Sequence, residues 1–423
     1  MDPLAGLALD PVRTAAAWVV LAPTRTLVFC GYLAGGVALG TVSGLTPGIH
    51  ANTFALLLAG VATSVPGPLS FLGAAMLAAG TVHTFLDVVP ALALGVPDPA
   101  MASSALPGHR LVLEGRGREA LRLSALGSGC AVALAAGLAV PVTRVMRVVY
   151  PAVRAHLPLV LGGTALALAL TESGLRGRVG GALAVGASGA LGVLTLDLPA
   201  GGLVAAGNML APLFAGLFGA PVLLDALTGA GVPEQDSPEV TTPPAAVGAL
   251  ALVGTLGGAA VGYLPGVSSA VAATLALGVV PAAGARGFLV TTSGVNTANT
   301  VFALFALVAF GTPRTGVLVA VERAGVGVHL PALLAGVVAG GAAGFVLVVS
   351  LGDRYLRAVG RLDYTRLCVG VLALLVLLMV VLAGPTGIGV FAAATLVGLV
   401  PVRFGARRAN LMGVLLVPLA LGV

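Results

Sequence analysis

Four groups of polar side chains lie in otherwise apolar sequence. His50, Asn52 and Thr53 follow a Thr46-Pro47-Gly48 break, and Ser268 and Ser269 follow a Pro265-Gly266 break. Proline removes an N–H and keeps the preceding turn from continuing as helix. Glycine lets backbone approach a ligand closely. The segment that restarts after such a break opens with unpaired N–H groups and the positive end of its dipole, an arrangement that binds carboxylates and other anions. The nearby hydroxyls and amide supply further donors, and Ser268 and Ser269 would also serve as N-caps.

His83, Thr84 and Asp87 share one helical face. Two chemistries are open to them: a His–Asp hydrogen bond that fixes helix packing, or uptake of a proton or cation by Asp87 for coupling. With no third ligand in the sequence nearby, the expectation is that no metal is held. Asn296, Thr297, Asn299 and Thr300 form the densest run of uncharged polar groups. Their oxygens suit Na⁺ and their amide donors suit a carboxylate; an interhelical polar clamp is the plainer reading. HExxH, GxSxG and the phosphate-loop pattern are absent from the sequence, so no enzyme is expected.

These residues need long apolar elements to position them. The chain is 58% hydrophobic and 9% charged, against roughly 25% charged in soluble domains. That excludes a soluble enzyme, a nucleic-acid binder and a disordered chain. It predicts an all-α polytopic membrane protein, multi-pass in the cell membrane. Apolar segments near 27–46, 49–63, 69–90, 123–141, 157–171, 179–196, 203–224, 246–263, 267–282, 287–310, 330–351, 367–384, 386–402 and 409–423 give ten to twelve crossings, several interrupted by Pro-Gly. The 62 glycines point to close helix packing. Cys30, Cys130 and Cys368 stand singly in apolar runs and read as small buried residues.

The basic residues, 21 in all, are arginines. They concentrate in 109–122, 352–366 and 403–408, which are expected to be cytoplasmic. The acidic stretch 231–242 is placed on the opposite side. Arg144, Arg147 and Arg154 follow the 109–122 cluster by one apolar span, so either that span does not cross or the positive-inside rule is broken there. Glu172, Asp197 and Asp225 read as loop or cap residues. Without a basic start before an apolar core, the first residues are expected near the membrane surface rather than in a cleaved signal peptide.

A repeat of about 218 residues is the most specific pattern. Gly44, Pro47, Gly48, Ala55, Leu57 and Gly60 match Gly262, Pro265, Gly266, Ala273, Leu275 and Gly278. A second alignment sets His83-Thr84 against Asn299-Thr300 and Gly95-x-Pro97 against Gly311-x-Pro313. The expected organisation is a first membrane repeat at 1–230, a polar linker at 231–244 and a second repeat at 245–423, with broken (re-entrant or discontinuous) helices at matching places. Such breaks in two related halves mark the binding site of secondary transporters.

The segments GLTPGIHANTFALLL (44–58), ALPGHRLVLEGRGREALRLSALGS (105–128) and SGVNTANTVFALFALVAFGTPRTGVLVAVERA (293–324) resemble the large permease subunit of tripartite tricarboxylate transporters, the TctA family. The resemblance rests on Pro107-Gly108 with Gly115-Arg116-Gly117, on Asn299, and on Gly311 to Pro313. It implies a permease for organic anions such as tricarboxylates, driven by a Na⁺ or H⁺ gradient and needing no cofactor. It also implies a small membrane subunit and an extracytoplasmic solute-binding protein as partners. Two other classes stay open at this stage: a membrane enzyme acting on a lipid-linked substrate through His50 and His83, and a passive channel.

Overall fold

The computed structural model describes residues 22–47, 51–62, 64–95, 105–203, 209–227, 232–236, 238–264, 269–278 and 284–422. Among the described residues the elements are α1 Pro23–Leu45, α2 Ala51–Ala62, α3 Leu69–Leu86, α4 Val88–Leu94, α5 Ala105–Leu113, α6 Gly117–Ala155, α7 Leu157–Leu170, α8 Gly174–Thr195, α9 Leu210–Ala226, α10 Pro244–Tyr263, α11 Ser269–Gly278, α12 Gly284–Phe310, α13 Gly316–Arg323, α14 Leu330–Val359, α15 Tyr364–Gly398, α16 Val400–Phe404 and α17 Arg408–Leu421. Among the described residues, eight helices are long and apolar enough to cross a membrane, and α7, α9 and α17 are shorter apolar helices. This is an all-α polytopic membrane protein.

Local chemistry sets the helix ends. α1 stops at Leu45 before Thr46-Pro47, and α10 stops at Tyr263 before Leu264. Pro90 cannot bond the carbonyl of Leu86, so α3 and α4 divide at Asp87. α15 contains Gly384 at φ 67° and ψ −159°, followed by Pro385. The chain reverses there: the Thr365 hydroxyl meets the Leu227 carbonyl (3.4 Å), while Gly398 abuts Leu217 and Pro221, and Arg408 pairs with Asp225 (3.2 Å). The two segments expected at 367–384 and 386–402 are thus the two arms of α15, with α16 extending the second.

α6 settles the arginine question. It is one continuous helix of 39 residues despite Pro141 and Pro151. Arg122 and Arg144 are separated by about 33 Å along it, close to a hydrocarbon thickness of about 30 Å. The helix is long and apolar enough to cross, and Arg144, Arg147 and Arg154 lie at the far end from Arg118 and Arg122.

The acidic stretch 231–242 is a correction. It lies at the same end as the arginine loops, not opposite them. Gln235 accepts from the Gly117 N–H (2.7 Å), Asp236 N–H donates to the Gly115 carbonyl (2.7 Å), and the Thr241 hydroxyl donates to Glu119 (2.9 Å). Loop charge counts missed this because the segment is held by capping the start of α6. Gly115 makes the required turn at φ 78°.

α3 with α4, and α12, form the centre. Their apolar windows are 78% buried, against at most 50% in the other six spans. Glycine stripes let their neighbours approach. Gly36, Gly40 and Gly44 of α1 face Ala75, Ala79 and His83/Leu86 of α3; Gly254, Gly258 and Gly262 of α10 face Thr291, Val295/Ala298 and Phe302 of α12. In both pairs the helices run parallel. Gly336, Gly340 and Gly344 of α14 likewise run parallel to α3 against Ala74, Ala78 and Phe85. The C-terminal part of α14 meets the N-terminus of α6, where Asp353 pairs with Arg118 (3.2 Å) and Arg122 (2.9 Å). α6 runs parallel to α12, so α3 and α12 run antiparallel.

Candidate functional site

The two central helices carry the candidate residues. At the α3–α4 division, Asp87 is 4% exposed and its Oδ2 accepts from Asn296 Nδ2 at 2.7 Å. One turn earlier, the Thr84 hydroxyl lies 3.4 Å from the Thr297 hydroxyl and donates to the Thr81 carbonyl (2.8 Å). Thr297 donates to Ser128 Oγ (2.8 Å), Ser128 donates to the Ser293 carbonyl (3.2 Å), and Ser293 Oγ meets Ser124 Oγ (2.8 Å). A continuous polar seam therefore runs from α3 through α12 to α6, every member buried. Buried polar groups persist where they are paired, and a low-dielectric surrounding strengthens each bond.

The α1 break borders this seam. Gly44 packs so closely on α3 that a Cβ there would lie 2.7 Å from Leu86 Cβ. Ser43 Oγ is 2.9 Å from His83 Nδ1, and the Phe54 ring of α2 stacks on the imidazole at 5.6 Å. His83 is fully buried. Thr46 turns its hydroxyl to the Val42 carbonyl (2.7 Å), and Pro47 follows it in the turn. At the α10 break, Gly262 abuts Phe302, and Tyr263 donates or accepts a 2.5 Å bond with Thr143 of α6. Phe302 lies six residues beyond Asn296, about 9 Å along α12. The α1 break thus lies beside the Asp87–Asn296 pair, and the α10 break lies about 9 Å further along α12.

Asp87, Thr84 and Asn296 come together; His83 sits on the α1–α2 side of α3. Asn299, on the α10 side of α12, has its Oδ1 buried with no hydrogen-bond partner among the described residues, and Thr300 is buried beside it. Ser269 opens α11 and is buried. Asn52 falls in the first turn of α2. Gly48, His50, Pro265, Gly266 and Ser268 lie outside the described residues. Among the described residues no cluster of three His, Cys, Asp or Glu could hold a metal.

Ser124, Ser128 and Ser293 escaped the sequence reading. Their signal was present: Ser124/Ser128 and Ser293/Thr297 are each spaced i, i+4 on one face. Glu172 is also more than a cap. It is 5% exposed and accepts from Arg407 (2.8 Å) and Asn410 (2.6 Å). A third buried carboxylate, Glu119, joins Arg286 (2.8 Å), Arg116 (2.8 Å) and Thr241 at the arginine-rich end.

The model of one family, the tripartite tricarboxylate transporter TctA family, matches residues 31–413. The chain belongs to the TctA family. It is thus a membrane transporter component, and the match covers both breaks and the whole seam. An uncharacterized protein of Methanocaldococcus jannaschii is 25% identical over 403 residues, covering 92% of this TctA chain and 97% of the other. No solved structure matches.

Two family-like motifs now have structural roles. Pro107-Gly108 lies in α5, where Gly108 lets Leu92 and Leu289 close in. His109 Nδ1 is 2.6 Å from the Leu92 carbonyl, and burial pushes its imidazole below the ordinary value despite that bond. Gly115-Arg116-Gly117 forms the turn that Gln235 and Asp236 cap.

Proposed function

We propose that this chain is the permease subunit that moves small organic carboxylates across the membrane, coupled to a Na⁺ or H⁺ gradient. One observation carries the reading. Two antiparallel, most-buried helices present Asp87 and Asn296 to each other, and each is packed by a helix that ends at a break, α1 on α3 and α10 on α12. Asp87 gives the seam an ionisable carboxylate, the group able to take up and release the coupling cation. The half-helix starts at Ala51 and Ser269, with Pro47, Gly48, His50, Asn52, Pro265, Gly266, Ser268 and Asn299 around them, would receive the anion.

We read the two halves as an inverted duplication. The glycine stripes at 36/40/44 and 254/258/262 recur at the same 218-residue offset as the breaks, against matching points of α3 and α12. Each central helix also packs on a helix from the other half, α3 on α14 and α12 on α6. Alternating access then follows from exchanging the conformations of the halves around a fixed site. The arginine-rich end is assigned to the cytoplasm. The small membrane subunit and the solute-binding protein of the family would serve delivery on the opposite face.

The test is uptake of labelled citrate and other carboxylates into liposomes under imposed Na⁺ or pH gradients. Accumulation that needs the gradient and is lost in Asp87→Asn is the expected result. Equal flux with and without a gradient favours a channel and contradicts the proposal.

A further inference from the structure

A cavity of about 770 Å³ opens at the end of the bundle remote from the Arg118–Asp353 cluster. Its wall includes Tyr150, Arg154, Phe310, Thr312 and Arg314, and among the described residues none that lines it is acidic. The volume falls in the range of small-molecule sites, roughly 300–1,000 Å³. Arg314 is fixed rather than solvated. One of its terminal nitrogens donates to the Tyr150 hydroxyl, its guanidinium lies 5.3 Å from the Tyr150 ring centre, and its Nε is buried without a partner among the described residues. A guanidinium carries five N–H donors in a fork matched to carboxylates, so most of its donor capacity is left for a ligand. Arg154 adds a second positive charge.

The cavity also has a physical link to the α10 break. Tyr150 packs on Phe310 at 4.6 Å, and Phe310 packs edge-on against Tyr263 at 6.0 Å. Tyr263 is the last residue of α10 before the break. One aromatic layer therefore separates Arg314 from the end of α10.

We propose that Arg154, Arg314 and Tyr150 form an anion-receiving vestibule that binds a small carboxylate before it reaches the broken helices. This rests on the transport reading and adds to it a second, outer binding site. Two arginines facing an open cavity attract and retain anions. The aromatic layer shields the inner site from the same bulk solvent. A phosphate headgroup from an anionic lipid shares the chemistry, so the experiment separates the two sources.

Thr312→Cys is introduced into a chain whose Cys30, Cys130 and Cys368 are serine, and folding is checked by gel filtration in an uncharged maltoside. Labelling rates are measured with an anionic sulfonatoethyl methanethiosulfonate and its cationic trimethylammonium analogue. The vestibule predicts faster anionic labelling, a preference reduced about tenfold by Arg314→Gln with Arg154→Gln and largely kept by Arg314→Lys. Citrate slows labelling, and chloride at equal ionic strength does not. A preference untouched by the arginine substitutions overturns the proposal, as does equal protection by chloride. Protection by phosphatidylglycerol but not by citrate also overturns it, in favour of a lipid headgroup. The readout needs no transport, so its failure is distinct from loss of gradient-driven uptake.

Discussion

Asp87 and Asn296 couple two helices through a carboxyl acceptor and an amide donor. Leaving a buried acceptor without its donor costs about 1–3 kcal/mol. Asn296→Leu keeps the shape and removes the donor from a buried carboxylate. It should destabilise the protein by about that amount, read as a lowered Tm in detergent, while Asn296→Asp with Asp87→Asn restores much of the loss. An unchanged Tm in Asn296→Leu would show that the seam is not formed. His109 makes a pH prediction. Its folded value is depressed by burial, so above the ordinary value of 6.5 it is neutral in both states and its contribution is complete. As pH falls below 6.5 the unfolded chain binds the proton more readily and stability is lost. His109→Gln should flatten the fall in Tm between pH 7 and 5; an unaltered slope would contradict this.

At the scale of elements, the glycine stripes divide into contacts and open surface. A Cβ at Gly258 would lie 2.7 Å from Ala298 Cβ, whereas Gly35, on the same helix as the Gly36 contact, meets nothing within 4 Å. Gly258→Ala should therefore cost about 1–3 kcal/mol through overpacking. Gly35→Ala should stabilise α1 by about 0.5–1 kcal/mol. Thermal unfolding of both variants checks the contrast, and equal effects would refute the packing. The ends of α1, α10 and the first arm of α15 were legible in the sequence because proline and glycine act locally. The polar seam was only half legible: Asp87 and Asn296 stand out among apolar residues, but Ser124 and Ser128 look neutral until α6 is laid against α12. The side on which 231–242 lies was not legible, because it depends on Gln235 reaching Gly117 across the fold. Glu172 was misread for the same reason, its partner Arg407 being 235 residues away.

For the whole molecule, each half supplies one central helix and one helix that packs on the other half's centre. The halves are therefore interlocked, and Glu119 with Arg286 ties α6 to α12 at the arginine-rich end. The long α6 fixes the sidedness: residues near its start and near its end must face opposite solutions. Cysteine at Arg357 should label only from the cytoplasmic side of sealed cells or inverted vesicles, and cysteine at Thr312 only from the other. Labelling of both from one side would break the topology.

In the proposed mechanism Asp87, held by Asn296, couples carboxylate movement to a cation gradient. The most direct measurement is labelled citrate uptake by proteoliposomes. These carry either the chain alone or the chain with the small membrane subunit and loaded binding protein of its family. Accumulation that requires an inward Na⁺ or H⁺ gradient, collapses with the matching ionophore and disappears in Asp87→Asn is the predicted result. Gradient-driven accumulation that survives intact in a well-folded Asp87→Asn protein would contradict it.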